Sequence, residues 1–83
     1  MKKNISINAL VSALANLCRK HAGMSFSSKE LTDLLKKHVR APKEVLSDME
    51  NMDIVRFSNT RTVSFVVKDD WFTTNNVIKA FAL

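Results

Sequence analysis

The apolar residues of this chain change their period once, and the change falls just after Asp53. Before it they recur every three to four positions, which gathers them on one side of a helix; after it they alternate, which puts them on one face of a strand. Such a chain is committed to helices first and a β-hairpin second, an α+β fold that is mainly α. With one Gly and one Pro in the whole sequence, the boundaries must come from periodicity and caps.

From Ser6 to His21, the residues Ile7, Leu10, Val11, Leu14, Leu17, Cys18 and His21 form one helical stripe. Gly23 suits the left-handed position that closes many helices, and Arg19 and Lys20 complement the carbonyl end. Met24-Ser25-Phe26 is long enough only for an extended connector or a single bridge of strand. Ser27-Ser28-Lys29-Glu30 matches a reciprocal capping box opening a second helix, with Leu31, Leu34, Leu35 and His38 on its buried side and Lys29, Lys36 and Lys37 away from it. Pro42 disfavours helix at Ala41 yet suits the first position of a new one, so Arg40-Ala41-Pro42 is read as a short turn. A third helix then runs from Pro42 to about Met52, with Val45, Leu46, Met49 and Met52 toward the core.

Ile54 to Phe57 and Thr62 to Val67 are the expected strands of a hairpin, joined by the polar turn Ser58-Asn59-Thr60-Arg61. The tail from Lys68 admits two readings. Either Asp69-Asp70-Trp71-Phe72 caps a helix, or Thr73 to Asn76 is a loop before a short helix at Val77 to Ala82. Its large apolar residues Trp71, Phe72, Val77, Ile78, Phe81 and Leu83 need cover, by folding back on the first helix or by pairing with a second copy, a homodimer through 69–83.

Eighty-three residues make one domain spanning 1–83. A chain this short buries only about 60 to 65% of its unfolded surface, which leaves no room for a cleft between lobes and argues against a large enzyme. It is 46% hydrophobic, so it does not carry the composition of a disordered segment. Its net charge of +5 favours an acidic partner such as nucleic acid. A single cysteine, Cys18, forms no internal disulfide and suits a cytoplasmic protein. Met1-Lys2-Lys3 does not open a secretory signal, because Asn4, Ser6, Asn8, Ser12 and Asn16 interrupt the apolar core that one needs, and bulky Leu17 before Cys18 spoils a lipoprotein box. No apolar run is long enough for a membrane span.

Helix, helix, helix, strand, strand, with a tight turn between the second and third helices, resembles the winged helix-turn-helix family of small bacterial, phage or plasmid regulators. Two stretches carry the resemblance: Phe26-Ser27-Ser28-Lys29-Glu30-Leu31, similar to the family's opening of helix two, and the run from Val45 to Arg56, similar to its passage from recognition helix into wing. The resemblance covers Ser6 to Val67. It implies a three-helix winged helix-turn-helix with a C-terminal β-hairpin wing, residues 68–83 forming a short C-terminal extension, and binding of double-stranded DNA. Winged helices also serve as protein-interaction modules, so a protein partner is the alternative.

In that arrangement the third helix enters the major groove. Its side opposite the core is centred on Ser47 and Asn51 and flanked by Lys43 and Glu44, all types that match base edges: Lys donates to guanine, Asn pairs with adenine, Glu accepts from cytosine and Ser serves either role. From Pro42 to Asp53 the helix carries one positive charge and four negative, so only its N-terminal turns suit a phosphate-lined groove. Positive charge gathers just before it in Lys36, Lys37, Arg40 and Lys43, which is either a backbone clamp or a solvated helix end complementing the macrodipole. Arg56, Asn59 and Arg61 flank or occupy the hairpin tip, where the resemblance implies backbone or minor-groove contact, the plain alternative being a polar turn.

His21 and His38 lack the cysteine or carboxylate neighbours of a metal site and are read as helix-end contacts. Cys18 is read as a small core hydrophobe, and Met49 and Met52 as gap-fillers. There is no phosphate loop, carboxylate pair or serine–histidine arrangement, so the expectation is a non-enzyme with no catalytic residues, metal or cofactor.

Overall fold

Leu10, Leu14, Leu17 and Cys18, spaced along one side of helix α1 (Ile7–Lys20), are buried together and form the centre on which the remaining elements pack. The computed structural model describes residues 7–81. The expected start at Ser6, the Met1-Lys2-Lys3 segment, the end at Ala82 and the side chain of Leu83 lie outside the described residues. After α1 come strand β1 (Phe26–Ser27), helices α2 (Ser28–His38) and α3 (Pro42–Asn51), strands β2 (Val55–Asn59) and β3 (Thr62–Phe65), a 3-10 turn at Asp69–Trp71 and helix α4 (Thr74–Phe81). The protein is α+β and mainly helical, with a three-stranded antiparallel sheet in the order β1-β3-β2.

Gly23 adopts the left-handed conformation (φ 71°) and reverses the chain after α1. The connector that follows is more than a link, because Phe26 and Ser27 pair with Val63 and Thr62 of β3. The capping box forms only by half. Ser27 Oγ accepts from the Lys29 amide at 3.3 Å, while the Glu30 carboxylate turns away from the cap to Lys20 Nζ at 2.9 Å and His21 Nε2 at 3.0 Å. The Lys20 ammonium and the His21 ring, at the end of α1 and just beyond it, replace the backbone amide as partners of that carboxylate, and the exchange ties the end of α1 to the first turn of α2. His21 also stacks on Phe26, ring centroids 4.3 Å apart, which makes it the helix-end contact expected of it.

α2 buries Leu31 and Leu35, with Leu34 partly buried against the core and His38 half-buried. Val39, Arg40 and Ala41 connect it to α3, where Pro42 takes a first-turn position. Val45 and Met49 face the core, but Met52, expected to join them, is 51% exposed. It lies beyond the last helical residue, and the chain turns at left-handed Asp53 (φ 59°), which sends buried Ile54 inward instead. The Ile54 amide donates to the Met49 carbonyl at 2.8 Å and the Asp53 amide to that of Glu50 at 3.1 Å, the two bonds of a Schellman closure.

The hairpin is tighter than the expected four-residue turn. Asn59 pairs with Thr62 and Phe57 with Val63, so Ser58 is an extra residue in a bulge and the turn is Thr60-Arg61. Ile54 precedes β2, and Val66 and Val67 follow β3. The tail follows neither expected reading in full, since a 3-10 turn is succeeded by a helix starting at Thr74 rather than Val77. Thr73 Oγ1 accepts from the Asn76 amide at 3.2 Å and the Val77 amide donates to the Thr73 carbonyl at 3.0 Å, so Thr73 initiates α4. Phe72, Val77 and Phe81 enter the same buried cluster as α1, and Ile78 remains at the surface. No helix among the described residues is long and apolar enough to cross a membrane.

Candidate nucleic-acid interface

All ten residues singled out in the sequence are exposed: Lys36, Lys37, Arg40, Lys43, Glu44, Ser47, Asn51, Arg56, Asn59 and Arg61. Four of them share one side of α3. At about 100° per residue, Lys43, Ser47, Asn51 and Glu44 fall within an arc of about 100°. Val45 and Met49 lie opposite and are buried, so the arc faces away from the core. Glu50 is exposed just outside that arc, about 20° beyond Lys43 in projection, and Asp48 and Asp53 complete an acidic C-terminal end.

Lys36 and Lys37 occupy the last turn of α2, and Arg40 lies in the connection to Pro42. Val39 fixes that corner, its side chain buried and its amide bonded to the Leu35 carbonyl at 2.8 Å. The cations of the described residues divide into two sets. Arg19, Lys20 and Lys29 pair with Asp69, Glu30 and Asp33 at 2.9 to 3.1 Å. Lys36, Lys37, Arg40, Lys43, Arg56 and Arg61 make no ion pair with a described residue, and neither do Lys68 and Lys79. Six of these eight unpaired cations thus lie at the corner before α3, at the start of α3 and on the hairpin, with Lys68 after β3 and Lys79 on α4 apart from them.

The hairpin does not project freely. The Ser28 amide donates to the Arg61 carbonyl at 2.8 Å and Ser28 Oγ to the Thr60 carbonyl at 3.2 Å, which fastens the tip to the start of α2. Asn59 Oδ1 accepts from the Arg61 amide at 2.8 Å, so this oxygen shapes the turn while its amide nitrogen stays available. Arg61 is exposed, and its backbone is held between Asn59 and Ser28. Arg56 stands opposite Ser64 and is exposed. Thr60 was not picked out from the sequence, yet it lines with Glu50, Phe57 and Asn59 a groove between α3 and the hairpin. The strand bulges at Ser58 just before it, and nothing in a four-residue polar run marks which residue will bulge.

Burial pushes the Cys18 thiol up from its ordinary value, Asp69 adds to the rise and Arg19 opposes it, so the group stays a thiol, donating to the Val67 carbonyl at 3.5 Å. No group of three or more His, Cys, Asp or Glu side chains among the described residues is arranged to hold a metal. Comparison of the chain with family models, curated proteins and solved structures finds no match.

Proposed function

We propose that the chain is a winged helix-turn-helix domain that binds double-stranded DNA sequence-specifically and regulates transcription without a cofactor. The order α1-β1-α2-α3-β2-β3, the sheet order β1-β3-β2 and the three-residue connection before Pro42 support the family reading. The observation that carries the function is the outward arc of Lys43, Glu44, Ser47 and Asn51, set directly after the unpaired cations Lys36, Lys37 and Arg40. Base-reading side chains specify and phosphate-binding cations position, and here the two kinds are adjacent. The acidic residues Asp48, Glu50 and Asp53 lie in the C-terminal half of α3 and just beyond it, so the N-terminal turns with Lys43, Glu44 and Ser47 sit deepest in the groove and Asn51, beside Glu50, reaches the last base edge.

Titration of a duplex library at several salt concentrations tests the proposal. Binding should weaken steeply as salt rises, because each neutralised phosphate releases counterions. Lys43→Ala and Asn51→Ala should change the sequence preference, each costing about 1–3 kcal/mol on preferred sites, whereas Lys37→Ala and Arg61→Ala should weaken all sequences alike. Absence of binding at low salt removes the reading. A protein-interaction module is the second reading, favoured by Met52 standing 51% exposed among Asp48, Glu50 and Asp53. Stoichiometric capture of one protein, insensitive to nuclease and lost in Met52→Asp, would select it.

A further inference from the structure

Where the end of α1 meets the end of β3 there is a cleft of about 300 Å³, within the size range of small-molecule sites. Phe65, Val67 and Cys18 line it with apolar and soft surface, while Arg19 and Lys68 bring positive charge. Arg19 is held by two acceptors, its Nε donating to Asp69 Oδ2 at 3.1 Å and its Nη1 to Asn16 Oδ1 at 2.8 Å. These bonds fix the guanidinium plane and leave Nη2 without a hydrogen bond to a described residue. Lys68 is exposed and makes no ion pair with a described residue. A guanidinium oriented in advance loses little entropy on accepting a carboxylate, which is the condition for a useful contact at a wet rim. Arg19, Lys68 and Asp69 together leave one net positive charge, which a single carboxylate balances.

We propose that this cleft binds a small amphiphilic carboxylate, its head on Arg19 Nη2 and Lys68 Nζ and its apolar body along Phe65, Val67 and Cys18. The site lies at the end of β3 away from the Thr60-Arg61 tip, so the inference stands independently of the nucleic-acid reading. Octanoate, with an apolar chain and one carboxylate, is the probe, added to DNA-free protein. Trp71 is the only tryptophan and stands two residues beyond Asp69, so its fluorescence reports binding, with amide chemical shifts locating it. Saturation at or below about 1 mM is expected, since a ligand of about ten heavy atoms seldom binds much tighter in an open cleft. Octanol and octylammonium should bind at least about tenfold more weakly, and Lys68→Glu, exposed and free to change without loss of fold, should weaken octanoate about tenfold, the size of one charge-assisted contact. Equal binding of octanoate and octanol, an unchanged affinity in Lys68→Glu, non-saturating binding, or shifts confined to residues outside the cleft would each overturn the assignment.

Discussion

Asp53 shows how a single backbone angle decides which of two neighbouring apolar residues is buried. An L-residue at φ 59° is strained, and Asp tolerates the position better than most only because its side chain is short and polar. The strain persists because the turn it makes delivers Ile54 to Met49, both buried, and satisfies the last carbonyls of α3. Replacing Asp53 by Gly removes the Cβ clash while keeping both bonds, so Asp53→Gly should stabilise the protein by about 0.5–1 kcal/mol. The urea midpoint should rise with the slope of the transition unchanged, and a lower midpoint would show that the Asp side chain contributes more than its backbone costs. The sequence shows the periodicity that buries Val45 and Met49, and it shows the polarity that leaves Lys43, Ser47 and Asn51 outside. It does not show where α3 stops, because the terminator is an aspartate where glycine is the usual signal, and extrapolating the period one step too far assigned Met52 to the core.

At the scale of elements, the three helices and the hairpin are legible because each is held by a local period, whereas β1 and the tail depend on distant partners. A strand of two residues has no period to read, and Phe26 and Ser27 become a strand only because Val63 and Thr62 stand beside them. Long-range bonding likewise holds the hairpin down: the Thr60 carbonyl at its tip is fastened to Ser28, 32 residues back along the chain. β2 is left as a sheet edge, and its bulge at Ser58, its length and exposed Arg56 all oppose pairing with another chain. The tail offered two kinds of cover for its apolar residues, and the fold supplies the internal one for Phe72, which is buried and makes edge contacts with Phe65 at 5.6 Å and Trp71 at 5.2 Å. Phe72→Ala should therefore cost about 3 kcal/mol or more, as for a core aromatic. Thermal unfolding at several protein concentrations checks it: a concentration-independent loss follows if the residue packs within one chain, and a loss seen only at high concentration contradicts that packing.

Across the whole molecule the charges are sorted by what they hold. The paired ones fasten elements to one another, Arg19–Asp69 joining α1 to the tail and Lys20, His21 and Glu30 joining the end of α1 to α2, while most of the unpaired cations among the described residues lie around the corner before α3 and on the hairpin, Lys68 and Lys79 excepted. Exposed pairs of this kind are worth only about 0–1 kcal/mol each, so they set geometry more than stability. Glu30 nevertheless leaves a signature in pH. Its carboxyl is held below the usual range, chiefly by the hydrogen bond from Lys20 and further by the bond and charge of His21, with burial opposing. A group whose folded pKa is depressed contributes stability that is complete above its unfolded pKa, near 4.3–4.5 and about the ordinary glutamate value, and that is lost as pH falls through the lowered folded value. Stability should therefore decline below about pH 4.5, with the steepest fall between the ordinary and the lowered value. Glu30→Gln cannot titrate and should make that part of the acid limb shallower, while at neutral pH it lowers the urea midpoint modestly by weakening the contacts with Lys20 and His21. Urea midpoints measured from pH 3 to 7, at about one-unit steps chosen to bracket the carboxylate range, decide the point. Parallel curves for the two proteins would place the acid sensitivity in other carboxylates, and a midpoint unchanged at pH 7 would show that Lys20 and His21 find equal partners in water.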